Sequence, residues 1–319
     1  MAELEVTLPA SWFTSKTIYN LERRAVFLKS WFFLGAVTKW PTVGDYPHAM
    51  VQIDLIVRRT SEDWTSLRVL AKDGSEVRSH LTPTGLLFVT LSNETPSFKE
   101  SLPGLEDLIG HVDFTKREVR RSLRYVGKYN WKTFIDGFQE CLHCAYAHKE
   151  FSKRYTPTTY KVLNNSNYSQ HLAKPGHSPA DGLFIYFFPN TMFNLYGGGM
   201  SAIRACPLED PSTTMMEFDY YHDEPAGSEE FEAYYKFARR VGVEDHELCE
   251  QVQLNLKLDI YSAGILNPNK ENGVAYYQAR VLELCSAQFE KEEREKLSRQ
   301  PVLASNATHV THLAEASTV

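Results

Sequence analysis

Apolar residues recur along this chain at two different spacings, and the change from one to the other divides it. Short apolar runs broken by Pro41, Gly44 and Pro47 fill Trp31 to about Arg59, and LLFVTL resumes the pattern at Leu86 to Leu91, as expected of strands joined by turns. Lys72-Asp73-Gly74 is a predicted turn between them. Leu123 to Asn130 predicts a strand leading into WKTFIDGFQECLHC, where Phe134, Phe138 and Leu142 recur every fourth position as the apolar stripe of a helix. Four β-rich runs follow, Thr159 to Leu172, Leu183 to Tyr196, Met200 to Leu208 and Thr213 to His222, with short connections that favour antiparallel pairing. Strand alternation puts Leu183, Ile185 and Phe187 on one side and Phe184, Tyr186 and Phe188 on the other. Gly197-Gly198-Gly199 predicts a hairpin, since no Lys-Ser/Thr follows to make a phosphate loop. The last third predicts helices over Ser228 to Arg240, Asp245 to Tyr261 (stripe Leu248, Val252, Leu256, Ile260) and about Asn272 to Lys296, then a mobile polar tail. Strands and helices are segregated, so the fold class expected is α+β, one antiparallel sheet packed by C-terminal helices.

Composition narrows the function classes. Hydrophobic residues are 43% and charged residues 23% of 319, which excludes a disordered chain. A net charge of −6 offers no basic surface for nucleic acid. No stretch approaches the roughly 18 apolar residues of a membrane span, and the start lacks the charged-then-apolar run of a secretory signal. Five cysteines in a chain this long do not make a disulfide framework, so a reducing, cytoplasmic location is expected, with Cys141 and Cys144 as buried free thiols.

At ~100° per residue, Asp136, Glu140 and His143 fall within about 60° of one another on a helix, opposite Phe134 and Leu142. His148 follows five residues after His143, and both imidazoles reach one metal only if the helix ends or loosens after His143. Two imidazoles and a carboxylate would be the facial set that leaves positions of an iron(II) open to substrate and dioxygen.

Asn130-Trp131-Lys132, Asp136 and then ECLHCAYAH together resemble the mononuclear-iron motif of Rieske-type ring-hydroxylating oxygenases, in the choline and carnitine monooxygenase-like branch. LERRAVFLKSWFFLGAVTKWPTVGDY, FPNTMFNLY and CEQVQLNLKLDIYSAGILNPNKENGV resemble further family segments. The resemblance implies that His143 and His148 bind iron, and that Glu140 is the acidic residue bridging towards the electron-donating cluster. Glu271 best fits the third ligand, with Asp259 as the fallback; Asp136 and Glu140 would orient the histidines. The family's helix-grip-like catalytic domain would then occupy 121–299, a short β remnant of the cluster domain 1–120, and the tail 300–319.

The departure from the family is a missing cluster. A Rieske [2Fe-2S] centre needs two cysteines and two histidines, and no cysteine precedes Cys141. The expectation is a cluster-free Fe(II) oxygenase that hydroxylates or cleaves an electron-rich aromatic or polyketide-like small molecule, the substrate itself supplying both electrons. An external electron donor and a homo-oligomer stay open, as does a non-redox cyclase, isomerase or lyase reusing the pocket.

Overall fold

The computed structural model describes residues 6–155, 157–173 and 182–299; the tail expected from Gln300 lies outside the described residues. The early apolar runs form β1 (Trp31–Ala36), β2 (Gly44–Met50), β3 (Ile53–Arg59), β4 (Leu67–Ala71), β5 (Ser79–Leu81) and β6 (Leu86–Thr90). They make two three-stranded sheets, ordered β1-β6-β5 and β2-β3-β4, which is more than the short remnant expected. The Lys72-Asp73-Gly74 turn is present, with Gly74 at φ +85°, a conformation that costs glycine nothing.

β7 (Glu118–Gly127), β8 (Lys161–Asn164), β9 (Tyr168–Leu172), β10 (Leu183–Phe187), β11 (Thr191–Tyr196), β12 (Gly199–Pro207) and β13 (Thr214–His222) form one seven-stranded sheet. Its order is β7-β13-β12-β11-β10-β9-β8, antiparallel throughout. Two of the four predicted runs, Thr159 to Leu172 and Leu183 to Tyr196, are each a hairpin rather than one strand, and the triple glycine closes the next hairpin as expected. The fold is α+β.

The sheet has two unlike faces. Leu183, Ile185 and Phe187 join Phe193 against Phe33 of β1 and Phe88 of β6, rings at 5.4 to 6.0 Å. Phe184, Tyr186 and Phe188 face the other core, shared with the long helices. A buried ion cluster ties the N-terminal part to the sheet. Arg204 of β12 bonds Glu217 (3.0 Å) and Asp219 (2.8 Å) of β13, and Lys39 reaches Asp219 at 2.6 Å.

α1 (Lys16–Ala25), α2 (Trp131–Phe138), α3 (Cys144–Ala147), α4 (Lys149–Arg154), α5 (Glu229–Lys257) and α6 (Asn272–Arg299) cover that second face. Asn130 caps α2, its Oδ1 accepting from the Lys132 N–H at 3.0 Å. Trp131 Nε1 and Lys132 Nζ both bond the Glu22 carboxylate of α1, at 3.0 and 2.7 Å, and Lys132 and Glu22 are fully buried. α5 is one helix of 29 residues where two were predicted. Gly242 does not break it, because a Cβ there would press within 3.2 Å of the Phe218 ring, so the helix packs closely at that point. Of the predicted stripe only Leu256 is buried: Leu248, Val252 and Ile260 are exposed, and Gly242, Cys249 and Gln253 are buried in their place.

Candidate metal centre

α2 stops at Phe138, five residues before His143, so Asp136 and His143 do not share the predicted helix face, and Leu142 is exposed. The stop has a tertiary cause. Gln139 is drawn inwards, its Oε1 accepting from His171 Nε2 at 2.8 Å and its Nε2 donating to Gly273 O at 3.2 Å. Gly273 at the start of α6 comes so near that a Cβ would lie 2.3 Å from the Gln139 carbonyl oxygen. Tyr160 donates to the other nitrogen of His171 at 2.8 Å, and burial pushes that imidazole down to about 3. His171 is therefore neutral and structural.

Beyond the turn, His143 and His148 flank α3, and α5 brings Asp245 between them. Nε2 of His143 lies 3.1 Å from Nε2 of His148, and Asp245 Oδ1 lies 2.9 Å from the latter and 3.5 Å from the former. Bonds of ~2.1 Å at right angles put neighbouring ligand atoms ~3 Å apart, so this triangle has the size of one face of an octahedral metal site. A carboxylate accepts the far nitrogen of each ring: Glu140 from His143 Nδ1, and Glu244 from His148 Nδ1 at 2.9 Å. Each Nδ1 is committed to an outer carboxylate, which leaves the two Nε2 atoms, on the Asp245 side, as the ring positions a metal would take.

The electrostatics are one-sided. Burial alone would lower the His143 imidazole, but its bonds to Asp245 and Glu140 outweigh that and raise it to about 10. His148 is raised for the same reasons, with Asp245 the larger contributor. Burial would lift Asp245, yet the two imidazoles pull it down to about 2. Among the described residues no lysine or arginine pairs with Glu140, Glu244 or Asp245. Three carboxylates around two imidazoles call for a cation, and His143, His148 and Asp245 offer ligand atoms all within 4.8 Å of one another.

Three expected roles are corrected. Glu271 is not at the site: it sits at the start of α6, where its carboxylate accepts from the Asn267 N–H at 2.7 Å. Asp259, the fallback, lies past the end of α5 with φ +56° and is exposed. Asp136 does not touch the histidines: Tyr277 Oη and Gln278 Nε2 (2.7 Å) donate to its carboxylate, which burial raises to about 7. Asp245 was read only as the start of a second helix, and Glu244 fell in the gap left after Arg240. Continuing the phase of Phe231 and Tyr234 through Ala238 and Gly242 leads to Asp245 and on to Cys249 at steps of three and four. Cys141 and Cys144 are not free thiols; they are bonded to each other across the turn, Cα atoms 5.0 Å apart.

A cavity with about 80 Å³ of free space opens on the triangle, lined by Phe151, Tyr160, Phe184, Tyr196 and Tyr220 among others, so the face of β10 carrying Phe184 is the one that meets it. Such a volume admits a group of a few water molecules' size.

Fold and site together define a class: an α+β domain that sets a two-histidine, one-carboxylate triangle beneath an aromatic cavity. The chain belongs to the ring hydroxylating alpha subunit family, whose catalytic domain matches residues 114–287, and it is an oxygenase, so the non-redox alternative falls. It is 23% identical to the carnitine monooxygenase oxygenase subunit of Acinetobacter baumannii, over 86% of this chain and 94% of the relative. Choline monooxygenase of Arabidopsis thaliana is 28% identical over 42% of this chain and 35% of its own length. The fold matches a quaternary ammonium Rieske monooxygenase in complex with L-carnitine (TM-score 0.76, 20% identity, 88% of this chain and 95% of that one). It also matches naphthalene 1,2-dioxygenase from Rhodococcus sp. bound to indole (TM-score 0.65, 14% identity, 88% and 94%). Among the described residues no helix is long and apolar enough to cross a membrane.

Proposed function

We propose that the chain is an iron(II)-dependent oxygenase of a small quaternary ammonium compound, with His143, His148 and Asp245 as the iron ligands. The observation that carries this is the Nε2, Nε2, Oδ1 triangle with a carboxylate on each outer ring nitrogen. Iron(II) held there supplies open positions for dioxygen beside the substrate. Glu140 and Glu244 hold the imidazole tautomers, and Asp245 adds the charge that favours a dication. Aromatic rings line the cavity, and a trialkylammonium head binds ring faces without needing a counter-ion. The relatives' names, carnitine and choline monooxygenase, point the same way and away from the aromatic or polyketide-like substrate expected from sequence.

The test is anaerobic purification with iron and sulfide analysis, then dioxygen uptake, with a thiol reductant supplied as electron source, on L-carnitine, choline and glycine betaine, and without it on a hydroquinone. About one iron and no acid-labile sulfide per chain is expected, with uptake stimulated by an onium compound. Uptake driven by the hydroquinone alone would replace the substrate class. Iron binding and turnover that survive in both His143→Ala and His148→Ala would remove the centre itself.

A further inference from the structure

Cys141 and Cys144 bracket His143 in sequence, are bonded to each other, and are both buried in the wall of the cavity that holds His143, His148 and Asp245. Their turn is mechanically part of the site: Glu140, the residue before Cys141, accepts from His143, and the Cys144 carbonyl accepts from the His148 N–H at 3.0 Å. The other cysteines, Cys206, Cys249 and Cys285, are buried and unpaired. Leu142, between the two cysteines, and Tyr146, two residues after them, are exposed, so the disulfide lies just below the surface.

We propose that this pair is redox-active and, as the dithiol, supplies the two electrons of an oxygenation, taking the place of an iron-sulfur cluster. The inference rests on the oxygenase reading above. Inserting one atom of dioxygen into a C–H bond requires two further electrons and two protons. With no cysteine before Cys141, residues 1–140 hold no thiolates for a cluster. The dithiol balances the equation: R–H, dioxygen and two thiols give R–OH, water and the Cys141–Cys144 disulfide. Two S–H bonds break and one S–S bond forms, so the structure corresponds to the spent state. An external thiol or dithiol then restores the pair through a mixed disulfide, itself becoming oxidised.

The test needs no organic substrate. Iron-loaded protein is reduced anaerobically with a phosphine, freed of reductant and exposed to dioxygen, where two thiols and dioxygen give the disulfide and hydrogen peroxide. Samples taken over time are alkylated, digested and weighed, and iron is measured on each. The Cys141/Cys144 peptide should lose its alkylation about tenfold or more faster than in metal-free protein or in His148→Ala given the same iron, with Cys206, Cys249 and Cys285 as unreactive controls. About one peroxide per chain should appear, and none from the Cys141→Ser/Cys144→Ser protein. Iron bound but equal oxidation rates overturns the dithiol role alone; no iron bound overturns the oxygenase reading and this inference with it. Should the double variant not fold, the alkylation rates of the unmodified protein decide.

Discussion

Two buried clusters of charge lie on this sheet and its covering helices, and they are built on opposite principles. Around Arg204, two cations meet two carboxylates: Lys39 and Arg204 against Glu217 and Asp219, with Arg124 adding a rim contact to Glu217 at 2.9 Å. Every charge there has its opposite, Asp219 is held well below the usual carboxylate range despite its burial, and burial with the nearby Arg204 guanidinium draws Lys39 down to about 8. Around Asp245, three carboxylates face two imidazoles, and among the described residues nothing else of positive charge pairs with them. The first cluster neutralises itself and fastens the N-terminal part to the sheet. The second, on the proposed reading, is completed by a cation from outside, which would set a binding centre apart from a structural ion network.

The contrast breaks most visibly at Asp245. Asp245→Ala should take iron from about one per chain to near zero by metal analysis, with the fold intact by circular dichroism, because two neutral imidazoles alone hold iron weakly. Arg204→Met should do the reverse. It removes the cation that both buried carboxylates share, leaving Asp219 only Lys39 and Glu217 only the rim contact of Arg124, and costs about 3–5 kcal/mol in denaturant unfolding; protein that remains folded should still take up iron. Glu244→Gln should weaken iron binding ~10–100-fold in competition with a chelator, since it loosens the His148 ring without removing a ligand. Asp136→Asn should flatten stability against pH. The folded carboxyl sits near 7 rather than its ordinary 3.8, so the folded chain keeps a proton the unfolded chain releases; that stability is full below about 4 and is lost as pH rises through about 7. Glu271→Gln should change least, leaving iron content unaltered and costing at most ~1 kcal/mol.

The strands and the triple-glycine hairpin were legible because alternation and Gly/Pro punctuation are local signals; His143 and His148, singled out by their motif, are brought within 3.1 Å of each other by the fold. What escaped depended on distant contacts. Nothing within WKTFIDGFQECLHC announces that Gln139 will be pulled towards His171 and Gly273, so the helix seemed to run on and Asp136 seemed to share a face with His143. Gly242 looks like a helix break in isolation, yet the Phe218 ring waiting against it makes it a packing site, and the false break hid Asp245. Glu271 was attractive as an acidic residue at a helix start, which is all it turns out to be. The Cys141–Cys144 bond depends on the turn that the helix assignment denied.

The buried Glu22–Lys132 pair reaches beyond stability. Lys132 lies within the stretch that matches the oxygenase family and Glu22 lies outside it, more than a hundred positions earlier in the chain. The family-matched stretch is thus not a portable module: cut free of α1, it would carry a solitary ammonium in its interior, on the helix that leads to His143. Any exchange or shortening of the first thirty residues, in the laboratory or over evolutionary time, has to bring a replacement anion with it or lose the lysine in the same event.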